Sequence, residues 1–300
     1  IVRMVSNSDF SSLLITGESG AGKGMLSRAI HRSGHRADKP FVEINCSALP
    51  ANLIESELFG HKRGAFTDAK EDKVGLFEVA NGGTLFLDEI GDMDFKLQSK
   101  LLKAIEEKSF RRIGGVNSIK VDIQIIAATN ADIFASINKG SFRLDLYYRL
   151  SVIPLEIAPL RDRKDDVPLL CKHFIKIFSH KFGRKISGFT DDAMKVLMDY
   201  SWPGNVRELS NVVERGCILS KDEYIGIERL MLPKDASLVP SGMVQHASVG
   251  NTLMTLAEAE ERAIRVAIQK ADGNKNEAAR ILGVHRTTLY KKLEEYKIEQ

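Results

Sequence analysis

The run Gly17-Glu18-Ser19-Gly20-Ala21-Gly22-Lys23 constrains this chain more than any other feature. It follows the apolar stretch Leu13–Thr16 and precedes Leu26, Ala29 and Ile30 at helical spacing. Strand, glycine-rich loop and helix in that order are the setting of a phosphate-binding loop. The glycines let successive backbone N–H groups converge on phosphate oxygens, and the helix adds the positive end of its dipole. Lys23 supplies a point charge for β- and γ-phosphates. One position departs from the pattern. Gly24 follows the lysine where Ser or Thr would ligate Mg2+, so the ion would lean on other ligands or on water.

A strand–loop–helix start predicts more of the same. The runs Phe41–Asn45, Thr84–Leu87, Ile123–Thr129 and Val152–Leu155 predict strands buried on both faces of a parallel sheet. Leu97, Leu101 and Ile105 recur at helical spacing between them. The expected architecture over 1–159 is a doubly wound α/β domain. From Leu160 to Leu232 the strand signals stop. Helix starts at Asp166-Val167-Pro168 and Thr190-Asp191-Asp192, and a break at Trp202-Pro203-Gly204-Asn205, predict an α-helical domain over 160–232. Residues 233–252 read as a linker. Helical periodicity at Leu256, Ala259, Ala263 and Val266 opens an all-α unit over 253–300. The chain begins at Ile1, with a strand due by Leu13, so an excised fragment is expected, with a preceding segment removed.

The net charge of +3 across 300 residues does not announce nucleic acid, so any basic surface has to be local. It is local at the end of the chain. Residues 274–293 carry Lys275, Arg280, Arg286, Lys291 and Lys292 against Glu277 alone. Asn276–Leu293 has the form helix, tight turn at Gly283, helix, with Ala279, Ile281, Leu282, Val284 and Leu289 as its small core. His285, Arg286, Thr287, Thr288 and Lys291 fall on or at the start of the second helix, where base edges of double-stranded DNA are read. A helix over Leu256–Ile268 would pair with its copy, giving a dimer and a palindromic site. Cys46, Cys171 and Cys217 form no C-x-x-C pair and read as free thiols. No apolar run is long enough for a membrane helix and no signal peptide is visible, so a cytoplasmic location is expected.

Chemistry beyond phosphate binding needs acids, and Thr84–Leu87 runs into Asp88-Glu89. Asp88 can hold Mg2+, directly or through water, and Glu89 can polarise an attacking water. Asn45, Thr129 and Asn130 end other strands and could reach a γ-phosphate. For each of them alone, capping the next helix is the competing reading.

Several segments together resemble the sigma-54-dependent bacterial transcription activators, enhancer-binding proteins of the AAA+ class. They are Gly17–Lys23, Asp88-Glu89, Glu57–His61 leading into Gly64-Ala65-Phe66-Thr67-Asp68-Ala69, Phe142-Arg143 to Arg149-Leu150, and Trp202–Leu209. The resemblance implies an AAA+ P-loop core, an α-helical lid and a C-terminal Fis-type helix-turn-helix. It implies ATP and Mg2+ as cofactors, and hydrolysis of ATP in a ring of subunits, usually a hexamer, which remodels sigma-54 RNA polymerase holoenzyme at promoters. Asn45 resembles the switch asparagine that pairs with Glu89; Thr129 and Asn130 fall at sensor 1. Arg143 and Arg149 match arginine fingers acting on a neighbour, and Arg207 matches sensor 2. Gly64–Ala69 matches the loop tip that touches sigma-54. There Asp68 replaces a glycine, adding charge and restricting the backbone, which is expected to weaken that contact. Phe110–Val121, with Gly114-Gly115 at its turn, resembles the second moving loop. Only part of the family's first helical segment would fit in Ile1–Phe10. Two readings compete: a nucleotide-switched DNA-binding regulator that does not engage sigma-54, which Asp68 favours, and a generic remodelling ATPase such as a helicase loader. Glu89, Arg143 and Arg149 speak against the first, and Phe66-Thr67 against the second.

Overall fold

The strands run in chain order as β1 (Ser12–Thr16), β2 (Phe41–Asn45), β3 (Thr84–Asp88), the short antiparallel pair β4 (Ser109–Phe110) and β5 (Ile119–Lys120), β6 (Gln124–Thr129) and β7 (Ile153–Glu156). The computed structural model describes residues 5, 8, 10–66, 69–232, 260, 264, 267–268, 271 and 274–296. Two compact units divide the chain, Ile1–Ser241 and Gly242–Gln300.

In the first unit, β1 pairs in parallel with β6 on one side and β7 on the other. With β3 and β2 added beyond β6, the all-parallel order is β2-β3-β6-β1-β7. Side chains alternate across such a sheet. Leu13, Ile15, Phe86, Ile126 and Ala128 therefore meet Ile30 of α1 (Lys23–Ser33) on one face. Leu14, Leu85, Leu87, Ile125 and Ala127 pack on the other face with α2 (Ala51–Phe59), α3 (Leu76–Val79) and α4 (Phe95–Glu107). α5 (Ile133–Asn138) and α6 (Leu144–Leu150) complete that layer. This is the doubly wound α/β arrangement that the sequence predicts. Burial on both faces holds for β1, β3 and β6 only. The edge strands β2 and β7 are half-covered, and Pro154 sits exposed on β7, tolerated because an edge strand bonds on one side.

The helical part consists of α7 (Asp166–Phe182), α8 (Asp191–Asp199) and α9 (Asn205–Leu219) around Trp202. The Thr190 side chain caps α8 by accepting from the Ala193 amide. Trp202 is fully buried at the break before α9, donating from Nε1 to the Leu197 carbonyl at 2.8 Å. Strand signals do not stop altogether here. β8 (Gly188–Phe189) pairs in parallel with β9 (Tyr224–Ile225). Two residues per strand leave no periodicity to read in a sequence.

In the second unit, α10 (Lys275–Leu282) ends at Gly283, which adopts φ +65. The Gly283 and Val284 amides donate back to Arg280 and Ala279 carbonyls, and α11 (Arg286–Glu295) comes next. Ala278, Ala279, Leu289 and Leu293 are buried with Ile264, Ala267 and Ala271, while Leu282 is partly buried. Val284, expected in this core, is 40% exposed because the turn carries it outward; the Ile281 side chain lies outside the described residues. So do the linker at 233–252 and most of the expected helix Leu256–Ile268. Among the described residues no helix is long and apolar enough to cross a membrane.

Trp202 is the chain's one tryptophan, so its fluorescence reports on the helical part alone. Leu197→Ala, at a fully buried position of the same core, should lower stability in a urea titration followed by that fluorescence by about 2–5 kcal/mol. A loss below about 1 kcal/mol would mean that this core repacks freely.

Candidate functional site

Parallel register brings the carboxyl ends of the strands to one edge: Thr16 lies beside Thr129, and Asn45 beside Asp88. Ligands in open α/β sheets sit at this edge. The chain leaves β1 through Gly17 to Gly22, and α1 begins at Lys23 with neither a side-chain cap nor an acid in its first turn. Its free amides therefore remain available to an anion. Gly20 has φ +76, and a Cβ there would lie 2.4 Å from the Gly204 carbonyl oxygen at the start of α9. Only glycine fits where the loop meets the lid. At Gly24, by contrast, a Cβ would touch only the edge of Phe86 at 3.8 Å.

Lys23 is 6% exposed. Its ammonium donates to the Gly17 and Glu18 carbonyls at 2.9 and 3.3 Å and lies 3.8 Å from Glu89 Oε1. Burial holds its pKa below the ordinary value, against the pull of Glu89 and Asp88. Glu89, at φ +51 just past β3, accepts the Asn130 amide on Oε2 at 3.1 Å. Asp88 accepts the Glu89 amide at 3.1 Å. Burial pushes both carboxyls above their ordinary range, with Lys23 opposing. Buried Cys46 beside them is pushed up to about 12, mainly by burial; it, Cys171 and Cys217 are free.

The lid reaches the same loop. Arg207, on the first turn of α9, donates to Ser19 Oγ at 3.1 Å. Three residues that the sequence reading did not single out join it. Arg161 grips Glu18, Arg163 donates to the Ala21 carbonyl at 2.7 Å, and Asn205 bonds Glu18 and the Ser19 carbonyl. Their partners in the loop are about 140 to 190 residues away in sequence. Their visible signal is the alternation of Arg161 and Arg163 at the join between sheet and lid.

Comparison with known proteins decides the family. Residues 1–156 match the Sigma-54 interaction domain, 161–237 the AAA+ ATPase lid domain, and 255–296 the bacterial regulatory protein, Fis family. This chain belongs to the sigma-54 interaction domain family. It is 47% identical over 283 residues to the transcriptional regulatory protein ZraR of Escherichia coli K12, and 48% identical over 291 residues to the regulatory protein AtoC of that strain. These matches cover 94% and 96% of this chain, but it spans only 63% of the length of either relative. The structure of NtrX from Brucella abortus in complex with ATP superposes with a TM-score of 0.74 at 36% identity, covering 98% of this chain and 65% of that one.

Several residues implied by the family resemblance have other partners in this fold. Asn45 does not pair with Glu89. Its Oδ1 accepts from the Ser47 amide and hydroxyl, both at 2.8 Å, a local turn that holds the side chain back. The Thr129 hydroxyl is buried and accepts the Ala131 amide, while Asn130 approaches Glu89 through its backbone. Arg143 stands at the N-cap position of α6 without capping it and is held bidentate by Asp145, with its guanidinium 5.6 Å from the Phe95 ring centre. Arg149 donates to the Ile105 carbonyl at 3.4 Å, and its buried Nε has no partner among the described residues.

The loop carrying Gly64, Ala65 and Phe66 is closed at its base by His61–Lys73 pairing and by the Gly64 amide donating to Ala69. Phe66 is 39% exposed with its ring against His61. Thr67 and Asp68 lie outside the described residues. The hairpin β4–β5 packs beside this loop, so that a Cβ on Gly114 would lie 2.9 Å from Ala65 Cβ. In the second unit, His285, Arg286, Thr287, Thr288 and Lys291 are all exposed. Arg280 and Lys292 are taken up by Glu277 and by Glu260 with Glu295, so the local positive charge narrows toward Lys275, Arg286 and Lys291.

The two glycines of the loop region should respond oppositely to alanine. Gly20→Ala, with a clash and a positive φ, should destabilise the first unit by about 1–3 kcal/mol. Gly24→Ala, inside α1 with open space, should stabilise it by about 0.5–1 kcal/mol. Chemical denaturation of both variants measures the signs, and equal signs would contradict the loop–lid contact.

Proposed function

We propose that this chain is the motor and DNA-binding portion of a bacterial transcription activator. It binds ATP at Lys23, hydrolyses it in a ring of subunits, and so remodels sigma-54 RNA polymerase holoenzyme at a promoter while held at an upstream palindromic DNA site. The work is cytoplasmic and divides among residues 1–159 (AAA+ core), 160–232 (lid), 233–252 (linker) and 253–300 (helix-turn-helix). The observation that carries the reading is the junction of Lys23, Asp88 and Glu89 at one sheet edge, with Arg207 over the same loop.

Two adjacent carboxylates raised by burial, with one buried ammonium acting on both, form a donor set short of positive charge. That fits Mg2+, which needs only one or two carboxylates beside substrate phosphates and water. Asp88 would hold it, and the ion would draw charge from the phosphate oxygens. Gly17–Gly24 wrap the phosphates with backbone amides. On nucleotide binding the Lys23 ammonium turns from the Gly17 carbonyl to the β- and γ-oxygens. Glu89, fixed by the Asn130 amide, takes a proton from the attacking water. Thr129 holds the turn that presents Asn130. Asn45 would exchange Ser47 for Glu89 when the γ-phosphate is present, coupling the nucleotide to loop movement. Arg143 and Arg149 serve the neighbouring subunit's γ-phosphate, Arg143 by leaving Asp145. Gly64–Ala69, with Phe66 and Thr67 at the tip and Asp68 as a weakening substitution, meets sigma-54. His285, Arg286, Thr287, Thr288 and Lys291 face the major groove.

Turnover per subunit should rise with protein concentration as subunits supply fingers to one another, and Glu89→Gln should bind ATP yet scarcely hydrolyse it. Specific activity flat across the assembly range would remove the role in trans. The acid limb of kcat/KM, which reports the nucleotide-free chain, carries a further expectation. Glu89 acts deprotonated and its pKa is raised by burial, so activity should be lost as pH falls through a value above the ordinary 4.5. An acid limb at or below 4.5 would remove Glu89 as the base. For DNA, Arg286→Ala should cost about 1–3 kcal/mol of specific affinity, and deletion of 253–300 should abolish it while sparing ATPase activity. Retention of operator affinity by the deleted chain in gel shifts would rule out the helix-turn-helix role.

A further inference from the structure

An acid inside a phosphate-binding loop needs a physical reason, because its charge repels the ligand. Glu18 has one in this fold. Both of its carboxylate oxygens are taken by the guanidinium of Arg161, Nη2 to Oε1 at 2.6 Å and Nη1 to Oε2 at 2.9 Å. Oε2 also accepts from Asn205 Nδ2 at 3.0 Å. The Arg161 fork holds the carboxyl below its ordinary range, with burial opposing. Two charge-assisted bonds in parallel fix an orientation as well as a distance. The third partner is built into the lid. Asn205 is fully buried at the first position of α9 with φ +53, and its Oδ1 accepts the Leu160 amide at 2.7 Å. One asparagine side chain thus ties the loop, the join at Leu160 and the start of α9 together. Two residues further along α9, Arg207 meets Ser19.

We propose that Glu18 faces the lid rather than the nucleotide: with Arg161 and Asn205 it clasps the phosphate-binding loop to α9 and so sets where Arg207 stands over the phosphates. Glu18 is in this sense a positioning residue acting through Arg207. The clasp rests on the proposed nucleotide function only for its consequence, since its bonds are present without nucleotide. Pairing also removes the repulsion, because Arg161 cancels the charge of Glu18 beside the phosphates.

The test removes the clasp without changing the net charge. Glu18→Gln alone would free the Arg161 cation to attract phosphate, so the informative variant is Glu18→Gln/Arg161→Gln. In the full chain without nucleotide, hydrogen exchange at the amides of Leu160 and residues 205–209 should quicken about tenfold, with Trp202 fluorescence unchanged as evidence that the lid core is intact. With Mg2+ and ATP, the Kd should rise about 3- to 10-fold. In an Arg207→Ala background the same double change should add less than about 2-fold, because the clasp acts through that arginine. Unchanged exchange, or a full additional loss on top of Arg207→Ala, overturns the proposal; the latter would mean that Glu18 or Arg161 touches the nucleotide directly. If the unaltered chain fails to bind ATP, the nucleotide reading falls, and the exchange measurement alone decides the clasp.

Discussion

Everything at the candidate site hangs on the parallel register of β1, β3 and β6. Thr16 and Thr129 end their strands at one level and Asp88 ends β3 one residue short of it, because Leu13 pairs with Ile126 and Ile126 with Phe86. A slip of one residue would turn every side chain to the opposite face and exchange the two apolar layers. Burial of Leu13 and Ile15 toward α1, and of Leu14 toward α4, therefore fixes more than stability. It sets how far the loop at Gly17–Lys23 stands from Asp88-Glu89, and thus allows one ammonium to serve two carboxylates.

Charge around that edge is arranged under tension. Lys23, Asp88 and Glu89 are each held away from their ordinary protonation behaviour by burial, and each is partly relieved by another. Incoming phosphates and a hydrated cation would redistribute this set rather than create it. The lid adds cations at the rim, Arg161 balanced by Glu18 and Arg207 hydrogen-bonded to the Ser19 hydroxyl. A guanidinium held by one hydroxyl moves to an anion at less cost than one held bidentate by a carboxylate.

The sequence made the α/β core legible because its signals are local and strong. Apolar runs, a glycine loop and two acids after a strand each depend on a few adjacent residues. The edge strands were misjudged because apolar runs were weighed above two local signs of an edge, Glu43 within Phe41–Asn45 and Pro154 within Val152–Leu155. The clasp was illegible because Glu18 and Asn205 are brought together only by the fold. Val284 was misplaced because helical spacing ends at Gly283, where the left-handed turn redirects the chain. Asn45 and Arg143 illustrate another limit. The resemblance supplied roles for them, whereas the folded chain gives each a nearer partner, Ser47 and Asp145.

The proposed function requires that hydrolysis, not nucleotide binding alone, does the remodelling. The direct measurement is promoter melting at a sigma-54 promoter carrying an upstream site for this chain, read by permanganate reactivity of unpaired thymines. Melting is expected with ATP, and none with a non-hydrolysable analogue or with Glu89→Gln. Equal melting with ATP and with the analogue would contradict it, as would bound DNA and steady hydrolysis without any melting.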